Sequence, residues 1–251
     1  MSSDLFTKPD LFQAKRVLAV QPHYDDNDIA AGGTLANLAA GGAEIFYLTV
    51  TDDLVGVVDQ SLSEADMLAG LKADLDRAGK IIGIKDKFWL GYPDAGQYDY
   101  FDLRLDVIQY IRELRPDFVM TCDPWTPYEF HNDHIMTGKA ATAAANLYDL
   151  LRLATDPAVD RAYESFELQG IAFYASAHPN TVVDISETWA KKREAVKQYR
   201  MQFAADEMEN LLRRLEMWAK HEAKDATFSH AERLKVMHSW QLHVFPDAWK
   251  V

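Results

Sequence analysis

Apolar runs and apolar–polar periodicities divide the chain into alternating strands and helices. Residues 16–22 (RVLAVQP) form a short apolar run, which predicts a buried strand. Leu35, Leu38 and Ala39 then fall at helical spacing after Gly32-Gly33, and Gly41-Gly42 ends that element. IFYLTV at 45–50 predicts a second buried strand. From Ser63 to Gly83, Met67, Leu68, Leu71, Leu75, Ala78 and Ile82 line one face of a helix. A short strand at 87–90 leads into the turn-like GYPDAG (91–96), then a helix from Leu103 to Leu114 that Pro116 stops. FVMTC (118–122) is the third clear strand. A loop with Pro124 and Pro127 precedes an alanine-rich helix from about Asp133 to Leu151. GIAFYAS (170–176) and TVVDI (181–185) read as later strands, and the charged stretch Glu187–Lys224 keeps helical spacing throughout.

Strand–helix alternation with wholly apolar strands predicts an α/β fold: a mainly parallel sheet with helices on both faces. No repeat, low-complexity tract or linker interrupts it, so residues 1–251 read as a single domain with a helical C-terminal third. There, Trp189, Val196, Tyr199 and Phe203 share one helical face, which suits packing on the core or between subunits.

Composition narrows the partners. The 251 residues are 48% hydrophobic and 26% charged, a globular balance. Lys+Arg is 26 against Asp+Glu 39, a formal charge of −13 with no basic run. That disfavours nucleic acid and anionic membrane surfaces. Cys122 is the single cysteine, which excludes an intramolecular disulfide and suits a reducing compartment. The N-terminal MSSDLFTKPDLFQ does not read as a secretory signal, and no apolar stretch is long enough to span a bilayer. The expectation is a soluble cytoplasmic protein.

The chemistry concentrates in two segments. Pro22-His23-Tyr24-Asp25-Asp26-Asn27-Asp28 follows the first strand, and His131-Asn132-Asp133-His134 ends the loop after the strand at 118–122. Ligand sites in open α/β sheets lie beyond the carboxyl ends of strands, so both segments emerge on one edge. Carboxylates packed this closely repel one another unless a cation relieves them. A His and an Asp from the first segment plus a His from the second match the donor set of a catalytic zinc site with one open position, and other divalent ions accept the same donors. Asp25 is then a spare carboxylate able to take a proton from water. The plainer alternatives are a loop histidine, an acidic first turn of the next helix (above all for Asp28) and solvated imidazoles at a helix start. Gly32-Gly33 lacks the G-x-G-x-x-G spacing of a dinucleotide loop. Cys122 reads as a buried strand-end residue, and His230, His238 and His243 mostly as structural or surface histidines. Trp125 and Tyr128 suit stacking on a sugar ring, and equally core or interface packing.

RVLAVQPHYDDNDIAAGG resembles the first motif of the PIG-L/LmbE-like zinc deacetylases, a strand followed by PHPDD-x-E and a glycine pair. HNDH resembles their HPDH motif, and GYPDAG, RPDFVMTCDP and VVDISETWAKKREAVKQY are similar to their intervening and later segments. Within the family, DPWTPYEFHNDH is most similar to the diacetylchitobiose deacetylase branch. The resemblance implies a Rossmann-like metal-dependent N-deacetylase acting on N-acetylglucosamine-type groups. It implies a zinc ion held by His23, Asp26 and His134, with Asp25 as general base. His131 would meet the oxyanion or protonate the leaving amine. Asp133 would orient His131 and raise its pKa. Asp94 would contact substrate hydroxyls, and His243 would face the tetrahedral intermediate. A homo-oligomer, trimer or hexamer, is also implied. Tyr24 and Asn132 stand where the family has prolines, and Asp53 where it has a glycine. Leu71 falls where it often has a substrate-binding arginine, with Asp74 where a glutamate is common; this bears on the substrate rather than on the metal chemistry.

Three competing readings follow. A hydratase of unsaturated dicarboxylic acids would use the same scaffold and metal but should gather cationic side chains, which the motif loops lack. A deacylase of a non-sugar amide would keep the chemistry and change the substrate. A non-enzymatic binding module would bind no metal.

Overall fold

The computed structural model describes residues 4–224 and 226–251. The first three residues of the N-terminal stretch read above lie outside the described residues. Seven strands form one sheet: β1 (Arg16–Gln21), β2 (Glu44–Thr51), β3 (Asp86–Tyr92), β4 (Phe118–Cys122), β5 (Gly170–Tyr174), β6 (Thr181–Asp184) and β7 (Ala231–Met237). Their order is β3-β2-β1-β4-β5-β7-β6. β1 to β5 pair in parallel, while β7 runs antiparallel between β5 and β6. The chain winds from β1 outward through β2 and β3, then returns to place β4 on the other side of β1. The gap between the carboxyl ends of β1 and β4 is therefore the topological switch point, where open sheets bind ligands.

The helices are α1 (Asp26–Ala40), α2 (Glu64–Ile82), α3 (Tyr100–Leu114), α4 (Asn132–Leu147), α5 (Pro157–Ala162), α6 (Trp189–Val196) and α7 (Ala205–Glu222). They cover both faces of the sheet. On β1, Val17 and Ala19 enter the core beneath α1, α2 and α6, while Leu18 and Val20 enter the core beneath α3 and α4. This explains why β1 is apolar at every position from 17 to 20.

Several boundaries differ from the sequence expectation. α1 starts at Asp26, well before Gly32-Gly33, so the glycine pair lies inside the helix. A Cβ on Gly33 would fall 2.7 Å from Cβ of Ile185, which marks the position as a close helix approach and not a loop. α4 ends at Leu147, short of Leu151. α5 is an addition to the expected elements; Asp156 caps it and Pro157 opens it. The continuous helical spacing of 187–224 is broken into α6 and α7 by a turn at 197–204. β7 is a further addition, hidden because Glu232 and Lys235 interrupt its apolar pattern although both are buried. The C-terminal third is thus mixed rather than helical. Trp189, Val196, Tyr199 and Phe203 pack on the core of this chain, and Cys122 is a buried free thiol, pushed up to about 12 chiefly by burial. Among the described residues no helix is long and apolar enough to cross a membrane.

Candidate active site

The loop after β1 is braced at its base. Gln21 is fully buried; its Nε2 donates to the Tyr24 carbonyl (3.1 Å) and to Thr49 Oγ1 (3.0 Å), and its Oε1 accepts the Asn27 N–H (2.9 Å). Asp53 Oδ2 accepts the Tyr24 N–H at 3.1 Å. Asp53 takes φ of 59°, a left-handed conformation that suits the glycine expected there. Asp26, the first residue of α1, folds back so that its Oδ2 accepts the His23 N–H (2.9 Å) and lies 3.1 Å from His23 Nδ1.

The loop after β4 presents the second set. His131 is the N-cap of α4, with Nδ1 accepting the Asp133 N–H at 3.3 Å. Glu129 accepts the His131 N–H (2.9 Å) through Oε1, and its Oε2 lies 3.1 Å from His134 Nδ1. That contact turns His134 Nε2 towards Asp26 Oδ1, 3.5 Å away. The three rings cluster, with centroids 4.7 Å (His23–His131), 5.3 Å (His23–His134) and 5.2 Å (His131–His134) apart.

Two groupings could hold a metal ion, and His23 belongs to both: His23, Asp26 and His134, or His23, Asp94, His131 and Asp133, each with candidate donor atoms within 4.8 Å of one another. The carboxylates of the second grouping are already engaged. Asp94 Oδ2 accepts the Val55 and Gly56 N–H groups (3.0 and 3.3 Å). Asp133 accepts the Ala95 N–H (2.8 Å) and the Tyr98 hydroxyl (2.9 Å). His23 Nε2 faces both carboxylates, at 3.3 Å from Asp94 and 3.5 Å from Asp133. Two imidazole nitrogens and a carboxylate oxygen fit a zinc-like ion, and a carboxylate behind the far nitrogen of a histidine is the usual support for such a ligand.

The charges are strongly displaced. Burial opposes a charged His23, but hydrogen bonds to Asp133, Asp26 and Asp94 outweigh it and hold the imidazolium far above its ordinary range. Burial would raise Asp26, yet the charges of His134 and His23 keep it well below the usual carboxylate range. Asp25 goes the other way, pushed up to about 7 by burial and by the charge of Asp26. Asp133 is brought down to about 2, mainly by its hydrogen bonds to His23, Ala95 and Tyr98 against the pull of burial.

Several expectations need correction. The Asp133 carboxylate faces His23 more closely than His131, whose Nδ1 is 3.8 Å away, so it braces the former. His131 is lowered rather than raised, by burial and by the charges of His23 and His134. His243 is exposed and lines a separate cleft of about 750 Å³ with Tyr100, Trp125, Lys139 and Trp240, away from the three histidines. Asp94 is nearly buried, with Oδ2 accepting backbone N–H groups and Oδ1 facing His23 Nε2, so in this structure it braces His23. Trp125 is half exposed and packs edge-on to Phe173, Tyr128 is fully exposed, and Leu71 lies in the core. Sequence reasoning missed Glu129, Tyr98, Gln202 and Phe130. Glu129 and Tyr98 act on the site residues by hydrogen bonds, Gln202 offsets part of the upward push on Asp25, and the exposed Phe130 ring lies 5.9 Å from His131. Glu129 alone carried a signal, five residues before His134 in the same loop.

The fold and donor set define a doubly wound α/β protein with a candidate divalent-metal centre at its switch point. Residues 18–145 match the family described as PIG-L, GlcNAc-PI de-N-acetylase, and the chain belongs to that family. It is 30% identical over 234 residues, 93% of this chain and 87% of the relative, to a diacetylchitobiose deacetylase of Thermococcus kodakarensis. It is also 36% identical to a 1D-myo-inositol 2-acetamido-2-deoxy-alpha-D-glucopyranoside deacetylase of Rhodococcus erythropolis, over 52% of this chain and 53% of that one, so it spans about half of that relative. The structure of the N,N'-diacetylchitobiose deacetylase of Pyrococcus horikoshii superposes with a TM-score of 0.87 at 31% identity, covering 96% of this chain and 91% of that one. These named relatives are deacetylases, hydrolases of amide bonds.

Proposed function

We propose that this protein is a zinc-dependent N-deacetylase of N-acetylglucosamine-type substrates, with amino sugars and short oligosaccharides as its class. The observation that carries the reading is the convergence of His23 Nδ1, the Asp26 carboxylate and His134 Nε2 within 4.8 Å of one another, with the buried carboxyl of Asp25 next to Asp26 in the chain. The names and extent of the relatives supply the substrate class.

A zinc ion held by His23, Asp26 and His134 would supply Lewis acidity for the acetamide carbonyl and ease loss of a proton from water. The rest falls to the chain. Asp94 and Asp133 accept from His23 Nε2 and so fix the ring with Nδ1 forward. Asp25, pushed up to about 7, suits a group that takes a proton from the attacking water and returns it to the departing amine near neutral pH. Because His131 Nδ1 accepts a backbone N–H, the neutral ring carries its proton on Nε2. His131 then meets the developing oxyanion as a neutral donor. No Lys or Arg among the described residues pairs with the acidic groups of the site. We also read residues 1–251 as one domain in a cytoplasmic homo-oligomer, with exposed Phe130 beside His131 and exposed Trp125 and Tyr128 in the same loop available to a sugar or to a second copy.

The test is acetate release from N-acetylglucosamine and N,N'-diacetylchitobiose by the zinc-loaded protein. Asp25→Asn should keep one zinc per chain and lose about 10²- to 10⁴-fold in turnover. Zinc bound one per chain without release from either sugar would overturn the substrate class, and full turnover in the variant would remove Asp25 as base.

A further inference from the structure

The loop between β4 and α4 makes a costly turn just before it reaches the site. Tyr128 takes φ of 70°, a left-handed conformation unfavourable for a residue with a Cβ, and its ring is fully exposed, so burial does not offset it. Upstream, Thr126 Oγ1 donates to the Ala175 carbonyl just past the end of β5 (2.6 Å), and the Thr126 carbonyl accepts the Glu129 N–H (3.3 Å). What the turn delivers is the Glu129 carboxylate.

Both oxygens of that carboxylate are used, and on two different histidines. Oε1 accepts the backbone N–H of His131 at 2.9 Å, and Oε2 lies 3.1 Å from Nδ1 of His134. An ionised carboxylate only accepts, so the proton of a neutral His134 ring sits on Nδ1. Nε2 is left with its lone pair, turned towards Asp26 Oδ1 at 3.5 Å. The Glu129 and His134 side chains are each a quarter exposed, so water could satisfy these donors, and what the clamp adds is orientation. An amide could not replace it. Turned to accept from His134, it sets its NH2 against the His131 N–H; turned the other way, it offers a donor to Nδ1 and favours the tautomer with the proton on Nε2.

We infer that Glu129 is a positioning residue that serves both halves of the reaction at once. Through Oε2 it holds His134 in the tautomer and orientation that accept an ion. Through Oε1 it holds the start of α4, and with it the His131 ring. The inference rests on the reading of His134 as a metal ligand and of His131 as the group that meets the oxyanion. One side chain then sets zinc affinity and, at saturating zinc, turnover.

The experiment compares the zinc-loaded parent with Glu129→Gln and Glu129→Asp. It reads zinc retained against a graded chelator, kcat for acetate release from N,N'-diacetylchitobiose at saturating zinc, and the melting temperature of the metal-free protein. Glu129→Gln should hold zinc about 10- to 100-fold more weakly and lose about tenfold or more in kcat, with a metal-free melting temperature close to the parent's. Glu129→Asp keeps the charge but is one methylene shorter and holds at most one of the two partners. It should lose about tenfold in zinc affinity or in kcat. Zinc affinity at the parent's level in Glu129→Gln overturns the inference. So does a Glu129→Asp that matches the parent in both affinity and kcat, which would leave a role of charge alone. A loss that follows a lowered metal-free melting temperature overturns it too, since Glu129 would then only stabilise the start of α4. Undiminished zinc affinity in His134→Ala overturns instead the ligand set on which the inference rests, and the two failures are thereby distinguished.

Discussion

Two polar clusters along α1, one at its first turn and one at its middle, satisfy their charges in different ways. Behind the helix, Glu232 is surrounded by its own chain: Lys192 Nζ at 2.6 Å, the Gly33 and Thr34 N–H groups at 2.9 and 2.7 Å and Thr34 Oγ1 at 2.6 Å. Lys192 and Glu232 are both nearly inaccessible, 4% and 5% exposed, so this cluster is complete and closed. In front, Asp25, Asp26, Asp94, Asp133 and Glu129 converge on three histidines and pair with no Lys or Arg among the described residues. A buried carboxylate is tolerated when its counter-charge and donors are present, and it is costly when they are not. The difference teaches that the front cluster has no lysine or arginine pairing with it and sets five carboxylates against titratable imidazoles alone, a balance that a bound cation would complete.

The strongest way to break that comparison is to remove a ligand. His134→Ala should take zinc from one per chain to none under dialysis and reduce acetate release to background. His131→Ala should keep the ion and lose turnover. The reverse pattern would move the ion to the grouping of His23, Asp94, His131 and Asp133. Zinc added to the metal-free parent should also raise its melting temperature, and His134→Ala should not respond.

The rear cluster makes the opposite prediction. Lys192→Met leaves the buried Glu232 carboxylate without its cation and should cost about 3–5 kcal/mol of stability, because the partner charge stays behind. Thermal unfolding reads it as a lower melting temperature. The fraction that folds should still bind zinc one per chain. Adding Glu232→Gln to the variant should recover part of the loss, and a double variant no better than the single would show that the pair is not the closed unit described.

What could be read in advance follows the same division. The front cluster was legible because its donors are contiguous: PHYDDND and HNDH each sit at a strand end, where topology delivers them to one edge. The supporting groups were not legible, since Tyr98, Gln202 and Asp53 come from separate elements and their roles arise only when those elements meet. The strands of the parallel half were legible because both faces are apolar. β7 was hidden because its buried Glu232 and Lys235 look like surface charges until Lys192 and the C-terminal carbonyls of Trp249 and Val251 are seen against them. The break between α6 and α7 was hidden for a similar reason, since the hydrogen bonds from Tyr199 and Met201 that favour a turn go to Asp28 and Asp74, far away in sequence.

The smallest effect is the sharpest test of the charge deficit. Asp25 has an ordinary carboxyl value of 3.8 in the unfolded chain and about 7 in the fold, raised by burial and by Asp26. A group raised on folding contributes stability that is fully present below the unfolded value and is lost as pH climbs through the folded one. Asp133, brought down to about 2, behaves oppositely, and its contribution is lost only as pH falls from the carboxylate range towards that value. Above about pH 5 it is therefore nearly constant. The amide that replaces the carboxyl in Asp25→Asn has no proton to lose in this range. In metal-free protein the variant should melt close to the parent at pH 5 and higher than it at pH 8, by roughly a few degrees for a chain of this size. Zinc should narrow that gap by supplying the missing positive charge. A gap that is the same at pH 5 and pH 8 would mean that Asp25 is compensated inside the chain as Glu232 is, and the contrast between the two clusters along α1 would then fail at its central residue.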